Sequence, residues 1–289
     1  MTALAQYGHQ SLAPADLSHR DGAVVVERVQ GLRELRAARR PDGRVHVWHG
    51  FDAASLDDDL AVVLAAALTP FSADPSEFTE AFAGIVTTSD SDPDRAWVLF
   101  YLNTLARADD PSRRGYGQVH RRAISLLAGY RSVLDLGCSL GFLSLLLARR
   151  GTATIAADPN PGVLRLLASV GSRLDAPVRT IVLEQGPLPL PARSVDAVAL
   201  LHVLEHVTAA EGTTLLEEAL RVARRRVVVA VPYELHPTAL YGHVRTLTRG
   251  DLDSLGSQTG WAYRVEERYG GWLILDRTRA ARPGRHAAA

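Results

Sequence analysis

Hydrophobic positions change their spacing twice along this chain. Between residues 22 and 49 the stretches GAVVVERV and RVHVWHG read as strands and flank an arginine-rich segment, which predicts a small antiparallel pair. Three helical patterns follow. SLDDDLAVVLAAALTP starts on a serine cap and ends at Pro70. DPSEFTEAFAGIV and DPDRAWVLFYLNTLARADD each open on Asp-Pro, placing an acid at the helix start and a proline where its missing N–H is not needed. Pro, Gly and charge then concentrate in PSRRGYGQ, residues 111–118, so the pattern predicts an accessory α+β unit over 1–112 and a boundary there.

Beyond the boundary, strands and helices alternate. Strands are predicted at 133–136, 153–157, 178–183, 195–201 and 226–231, and helices at 141–150, 161–171 and 212–224. The strands are nearly continuous apolar runs, as strands buried on both faces must be. This predicts an α/β fold with a Rossmann-like, mostly parallel sheet. A helix near 249–259 and two short strands, AYRVEER and WLILDR, split by Gly270-Gly271, predict an antiparallel hairpin at the sheet edge. The main domain is thus expected over 113–278, and the arginine-rich, proline-broken residues 279–289 as a frayed tail.

Composition narrows the chemistry. The 289 residues suit one main domain with an appendage. The 32 basic residues balance 32 acidic ones, and none of them is lysine, which excludes Schiff-base chemistry and a P-loop lysine. Heavy use of Ala, Arg and Gly matches the habit of GC-rich bacterial genomes. Cys138, the lone cysteine, has no partner for a disulfide or a zinc cluster. No leader pattern opens the chain, and the longest apolar run, Leu60 to Leu68, is far short of a membrane span. A cytoplasmic protein without nucleic-acid or membrane partners is expected.

The turn D135-L-G137-C-S-L-G141 lies between the first strand and first helix of the sheet domain. Its glycines allow a sharp turn and close approach of a ligand to the helix N-terminus. Ser139 stands where a dinucleotide fingerprint would have another glycine, and Asp135 would repel a pyrophosphate at short range. S-adenosylmethionine brings no phosphate and carries a sulfonium and an ammonium, so the charge logic favours methyl transfer. A purely structural role, in which Asp135 accepts loop N–H bonds, is compatible with this. Asp158, at the tip of the second strand, suits the two hydroxyls of a ribose, or alternatively caps the helix that follows.

VLDLGCSLGFLSLLLARRG, ATIAADPNPG, LPLPARSVDAVALLHVLEHV and VPYELHPTALYGHVRTLTRGDLDSL together resemble the class I S-adenosylmethionine-dependent methyltransferases, in the small-molecule group with an HVLEH signature. The resemblance runs from about residue 116 to 276. It implies S-adenosylmethionine as cofactor, with Asp135, Gly137, Cys138, Ser139 and Gly141 around its methionine half and Asp158, followed by Pro159, on the ribose. It implies Glu184, or Gln185 instead, near the adenine, and Leu201 and His202 beside the reactive methyl. Two residues depart from the family pattern: Ser139 for glycine, and Val195 for the phenylalanine before Asp196. The first implies weakened but retained binding.

An in-line methyl displacement needs alignment and a base for an attacking hydroxyl. His202, His206, His236 and His243 all follow the fourth or fifth strand of the domain, on the side where open parallel sheets bind ligands. By the resemblance, His243 ranks first as base or substrate contact, then His236, with His202 in the pocket. HVLEH spaces His202, Glu205 and His206 as metal ligands on a helical turn would be, but its breadth in the family favours a structural role, so no metal is assigned. Asp251 and Asp253 read as helix N-terminal charges and RVARRR, 221–226, as a solvated helix end. Trp48, Trp97, Tyr101 and Trp272 are stacking candidates that more often serve as core. The resulting expectation is O-methylation of a small-molecule acceptor; the N-terminal unit ahead of this core resembles that of actinobacterial methyltransferases that O-methylate glycans, which implies a sugar or a mycofactocin glycan as the acceptor. The accessory unit would cover the substrate mouth or form a homodimer contact. The rivals are a nicotinamide-dependent oxidoreductase and a non-catalytic binding module.

Overall fold

Apolar alternation in Val24–Arg28 (β1) and Val45–His49 (β3) does form strands in the computed structural model, which describes residues 22–108, 110 and 116–277. The pair is parallel, not antiparallel as expected, with Val24 opposite Val45. The arginine-rich segment is itself a strand, Arg36–Arg39 (β2), and it turns tightly through Gly43, at φ +85°, to pair antiparallel with β3. Because β3 returns from that hairpin and lies between the other two, it runs in the direction of β1. The arginines fit a strand because Arg39 has a fixed partner: its guanidinium forks onto both oxygens of Glu77 at 2.8 Å.

Three helices follow, the first two packed on this small sheet. Leu60–Leu68 (α1) starts later than its sequence pattern suggested. Ser55 closes a short 3₁₀ turn capped by Asp52, and Asp59 occupies the cap position of α1. Pro75–Thr88 (α2) begins in a full capping box, with Asp74 and Glu77 each satisfying the other's backbone N–H. Pro93–Ala108 (α3) follows. Tyr116–Leu127 (α4) was not anticipated, although Val119, Ala123, Leu126 and Leu127 form one buried stripe at helical spacing.

The seven-stranded sheet has the order β6-β5-β4-β7-β8-β10-β9. Ser132–Leu136 (β4), Ala153–Asp158 (β5), Arg179–Val182 (β6), Val195–Leu201 (β7) and Ala223–Val231 (β8) are parallel. Ala262–Glu267 (β9) and Gly271–Asp276 (β10) form the antiparallel edge hairpin, with β10 against β8. Phe142–Ala148 (α5), Pro161–Arg173 (α6), Ala209–Val222 (α7) and Arg249–Gln258 (α8) complete the element order. RVARRR is not a solvated helix end: α7 stops at Val222 and the following residues open β8. There Arg226 pairs with Asp276 at 2.7 Å and lies over Tyr130.

The N-terminal unit does not have a core of its own. Val47, Leu64, Ile85 and Phe100 belong to the same buried cluster as Leu145, Leu146, Leu164 and Leu167. The proposed boundary at 111–118 falls partly, and the proposed tail 279–289 wholly, outside the described residues. The junction is also pinned by a hydrogen bond: the hydroxyl of fully buried Tyr101, on α3, donates to the Leu140 carbonyl at 2.7 Å, in the turn after β4. Removing a buried donor costs about 1–2 kcal/mol. Tyr101→Phe is therefore expected to lower the urea midpoint by that free energy with an unchanged m-value, measured by far-UV circular dichroism.

Candidate active site

The turn after β4 is built by backbone that few residues tolerate. Gly137 and Gly141 lie at φ +78° and +74°. A Cβ on either would approach Val203 Cγ2 to 2.6 Å or Leu167 Cδ2 to 2.4 Å, so both must be glycine. Ser139, where the family pattern has glycine, is also left-handed at φ +50°. Its amide donates to Asp158 Oδ2 at 2.8 Å, which offsets the strain of that conformation. Asp158 Oδ1 accepts the Asn160 amide at 2.9 Å. Asp158 does not cap α6; Asn160 does, accepting from Gly162 and Val163.

Asp135 is buried at the end of β4 and accepts the Ser144 hydroxyl at 2.7 Å. Burial raises its pKa from the ordinary 3.8 to about 6; the Ser144 hydrogen bond opposes the rise and the nearby Asp158 adds to it. Burial also raises Asp158, against the pull of the two loop amides. Beside them the Cys138 thiol is pushed up by burial and by both carboxylates, so it stays protonated and unreactive.

A cavity of about 300 Å³ opens over the carboxyl ends of β4 and β7. Its floor includes Asp135, Gly137, Ser139, Leu201 and Asn160. Its cover comes from the N-terminal unit, with Phe78 and Phe82 of α2 and Trp97 and Phe100 of α3. Tyr241, in the segment after β8, meets Phe78 edge-on at 5.4 Å and joins the two halves.

Three of the four candidate histidines line this space. His202 leaves β7 at φ +55°, and its Nδ1 is 3.0 Å from Glu205 Oε1. It precedes the 3₁₀ turn Leu204–His206 rather than sharing a helical face with Glu205 and His206. His243 Nδ1 is 2.7 Å from Glu234 Oε2, and Thr238 donates to the other oxygen of Glu234. His206 and His243 meet edge-on at 4.8 Å.

The remaining candidates lie elsewhere. His236 is exposed after β8 and does not line the cavity. Glu184 and Gln185 are exposed in the loop after β6, Pro159 is half-buried, and Asp158 sits behind the loop it braces. Trp97 reaches the cavity, Tyr101 and Trp272 are core, and Trp48 lies under Arg40.

Among the lining residues that escaped the sequence reading, Asn160 and His120 are polar. Asn160 was hidden as one polar residue between prolines; its buried Nδ2 has no partner among the described residues. His120 lies on the unanticipated α4, and burial lowers its pKa to about 4, so it is neutral in this wall.

The fold and crevice define a Rossmann-like α/β protein with a ligand site at the tips of its parallel strands. Residues 134–231 match the family described as "Methyltransferase domain". The chain is 29% identical over 159 residues to an uncharacterized methyltransferase of Mycobacterium avium, covering 55% of this chain and 58% of that protein. A second uncharacterized methyltransferase, from Mycolicibacterium paratuberculosis, is 28% identical over 55% of this chain and 57% of its own length. The chain thus spans less than two thirds of the curated relatives it matches. Among solved structures, magnesium protoporphyrin IX methyltransferase from Synechocystis with bound S-adenosylmethionine aligns at a TM-score of 0.45 and 19% identity, covering 56% of this chain and 79% of that one. A SAM dependent methyltransferase from Aquifex aeolicus aligns at 0.46 and 17%, covering 60% and 95%.

Asp135 also predicts a pH dependence. Its folded pKa lies above the unfolded value, so its contribution to stability is complete below pH 3.8 and is lost as pH rises through about 6. The rise corresponds to about 3 kcal/mol against the charged form. Asp135→Asn is expected to raise the unfolding free energy by about 1–3 kcal/mol at pH ~7 and to leave it unchanged near pH ~4, measured by urea denaturation of the ligand-free protein.

Proposed function

We propose that the protein is an S-adenosylmethionine-dependent methyltransferase that methylates a hydroxyl of a small molecule. The observation that carries this reading is the buried Asp135, whose pKa burial raises even though Ser144 donates to it, at the mouth of a glycine turn and inside a cavity large enough for a ligand. A carboxylate there is matched by a cationic ligand and opposed by a pyrophosphate. The orphan Asn160 Nδ2 supplies a donor on the same wall, and Gly137 and Gly141 keep the backbone open to close approach. These residues fit the cofactor.

S-adenosylmethionine supplies a methyl group on a sulfonium, open to in-line displacement. Asp135 and Asn160 hold the cofactor, and the Asp158 carboxylate fixes the turn through the Ser139 amide. The α2 and α3 aromatics line the cavity and exclude water from it. Glu234 accepts the Nδ1–H of His243, which leaves Nε2 unprotonated to engage the acceptor hydroxyl. A sugar or an oligosaccharide such as a mycofactocin glycan is the acceptor class proposed, because a pyranose stacks on aromatic faces and carries the hydroxyls. The N-terminal unit, residues 1–112, acts in this reading as the cover of the substrate mouth.

S-adenosylhomocysteine is expected to raise the melting temperature where NADH does not; stabilisation by NADH alone would overturn the reading. With labelled S-adenosylmethionine and cell extract, the labelled product identifies the acceptor by mass spectrometry. Asp158→Ala is expected to weaken S-adenosylhomocysteine binding. His243→Ala is expected to retain that binding and slow turnover by about 10²–10⁴.

A further inference from the structure

The cavity wall holds a donor set of which the methyl-transfer reading uses His243 alone. Glu205, His206 and His243 each present one ligand atom, all within 4.8 Å of one another. Glu205 is completely buried, and although Oε1 is paired with His202, its Oε2 has no partner among the described residues. A buried carboxylate oxygen without a donor is costly, and a cation is the usual remedy. Arg245 lies near enough to interact electrostatically with Glu205, but its Nε–H donates to the Leu204 carbonyl at 2.9 Å and no hydrogen bond reaches Oε2 among the described residues.

The surroundings of the set are those of a metal site. Glu234 accepts the His243 Nδ1–H, with Thr238 holding Glu234 in turn, so Nε2 of His243 is free as a lone pair. His206 has the Gly242 carbonyl beside it as a second-shell acceptor. His206 and His243 both face the cavity, which leaves the outer coordination positions open to a ligand. Donors about 2.1 Å from a tetrahedral transition-metal ion stand about 3.4 Å apart, so rotamer adjustment must draw the three ligand atoms in to close the set.

We propose that Glu205, His206 and His243 bind one divalent transition-metal cation of the zinc, cobalt or manganese class, open toward the cavity. Two imidazoles and one carboxylate are the donor types that such ions accept. Cation binding stands on these residues alone. Its role, holding the acceptor oxygen close to the methyl donor, rests on the proposed methyltransferase reading and replaces direct engagement by His243 Nε2.

The test is titration of the chelator-treated, full-length protein with Co(II), read by visible absorption, with S-adenosylhomocysteine thermal shifts measured in parallel. The expected result is saturable d–d bands of a low-coordinate site, displaced by Zn(II), with affinity lowered more than about ten-fold in His206→Ala and His243→Ala. Glu234→Gln, outside the donor set, keeps the test open if either variant fails to fold: as a positioning residue it is expected to weaken Co(II) about ten-fold while keeping the bands. Absence of saturable bands, or identical titrations of wild type and these variants, overturns the site. If S-adenosylhomocysteine still stabilises the protein in that case, the cation site alone has failed; loss of that stabilisation with intact Co(II) binding sinks the methyltransferase reading instead.

Discussion

Two carboxylates held out of water at the tips of adjacent parallel strands organise this molecule. Asp158 ties the turn after β4 to the turn after β5 by accepting the amides of Ser139 and Asn160. Asp135 accepts the Ser144 hydroxyl and a backbone hydrogen bond from the same residue, yet burial still raises its pKa. The first is satisfied by backbone and therefore fixes geometry. The second stays buried with no cation paired to it among the described residues. A region that both orders a loop and stores electrostatic strain is what ligand binding by a preorganised site requires.

The second constraint is coverage. A parallel sheet exposes the carboxyl ends of its strands as an open crevice, and aromatic side chains from α2 and α3 convert that crevice into a cavity. α2 rests on the three-stranded N-terminal sheet and α3 packs on α2, and one buried cluster includes both Val47 and Leu167. The strand-tip turns and the helices that cover them thus come from different stretches of chain but share one core.

Histidine placement shows how the elements divide the work. His202 is set by a left-handed turn at the end of β7, and His243 by a loop returning after β8. The two meet the same cavity although forty-one residues of chain separate their positions, and each has a carboxylate on its Nδ1. Such pairing fixes tautomers, and it leaves the other ring nitrogen of each available to a ligand.

The strand and helix alternation, the glycine turn, the edge hairpin and the acids at the tips of β4 and β5 were all legible in the chain itself, because each depends on local spacing or on a residue type with one physical use. The parallel pairing of β1 and β3, the strand made from Arg36–Arg39 and the stripe of α4 were not, since strand neighbours and helix packing follow from partners distant in sequence. The same holds within the site. The exposure of His236 and Glu184, the orphan atoms of Asn160 and Glu205, and the meeting of His206 with His243 are decided by how the loops fold over the sheet. Local sequence determines which residues can do chemistry; only tertiary packing decides which of them lose water and come within reach of one another, because burial and distance belong to the assembled core.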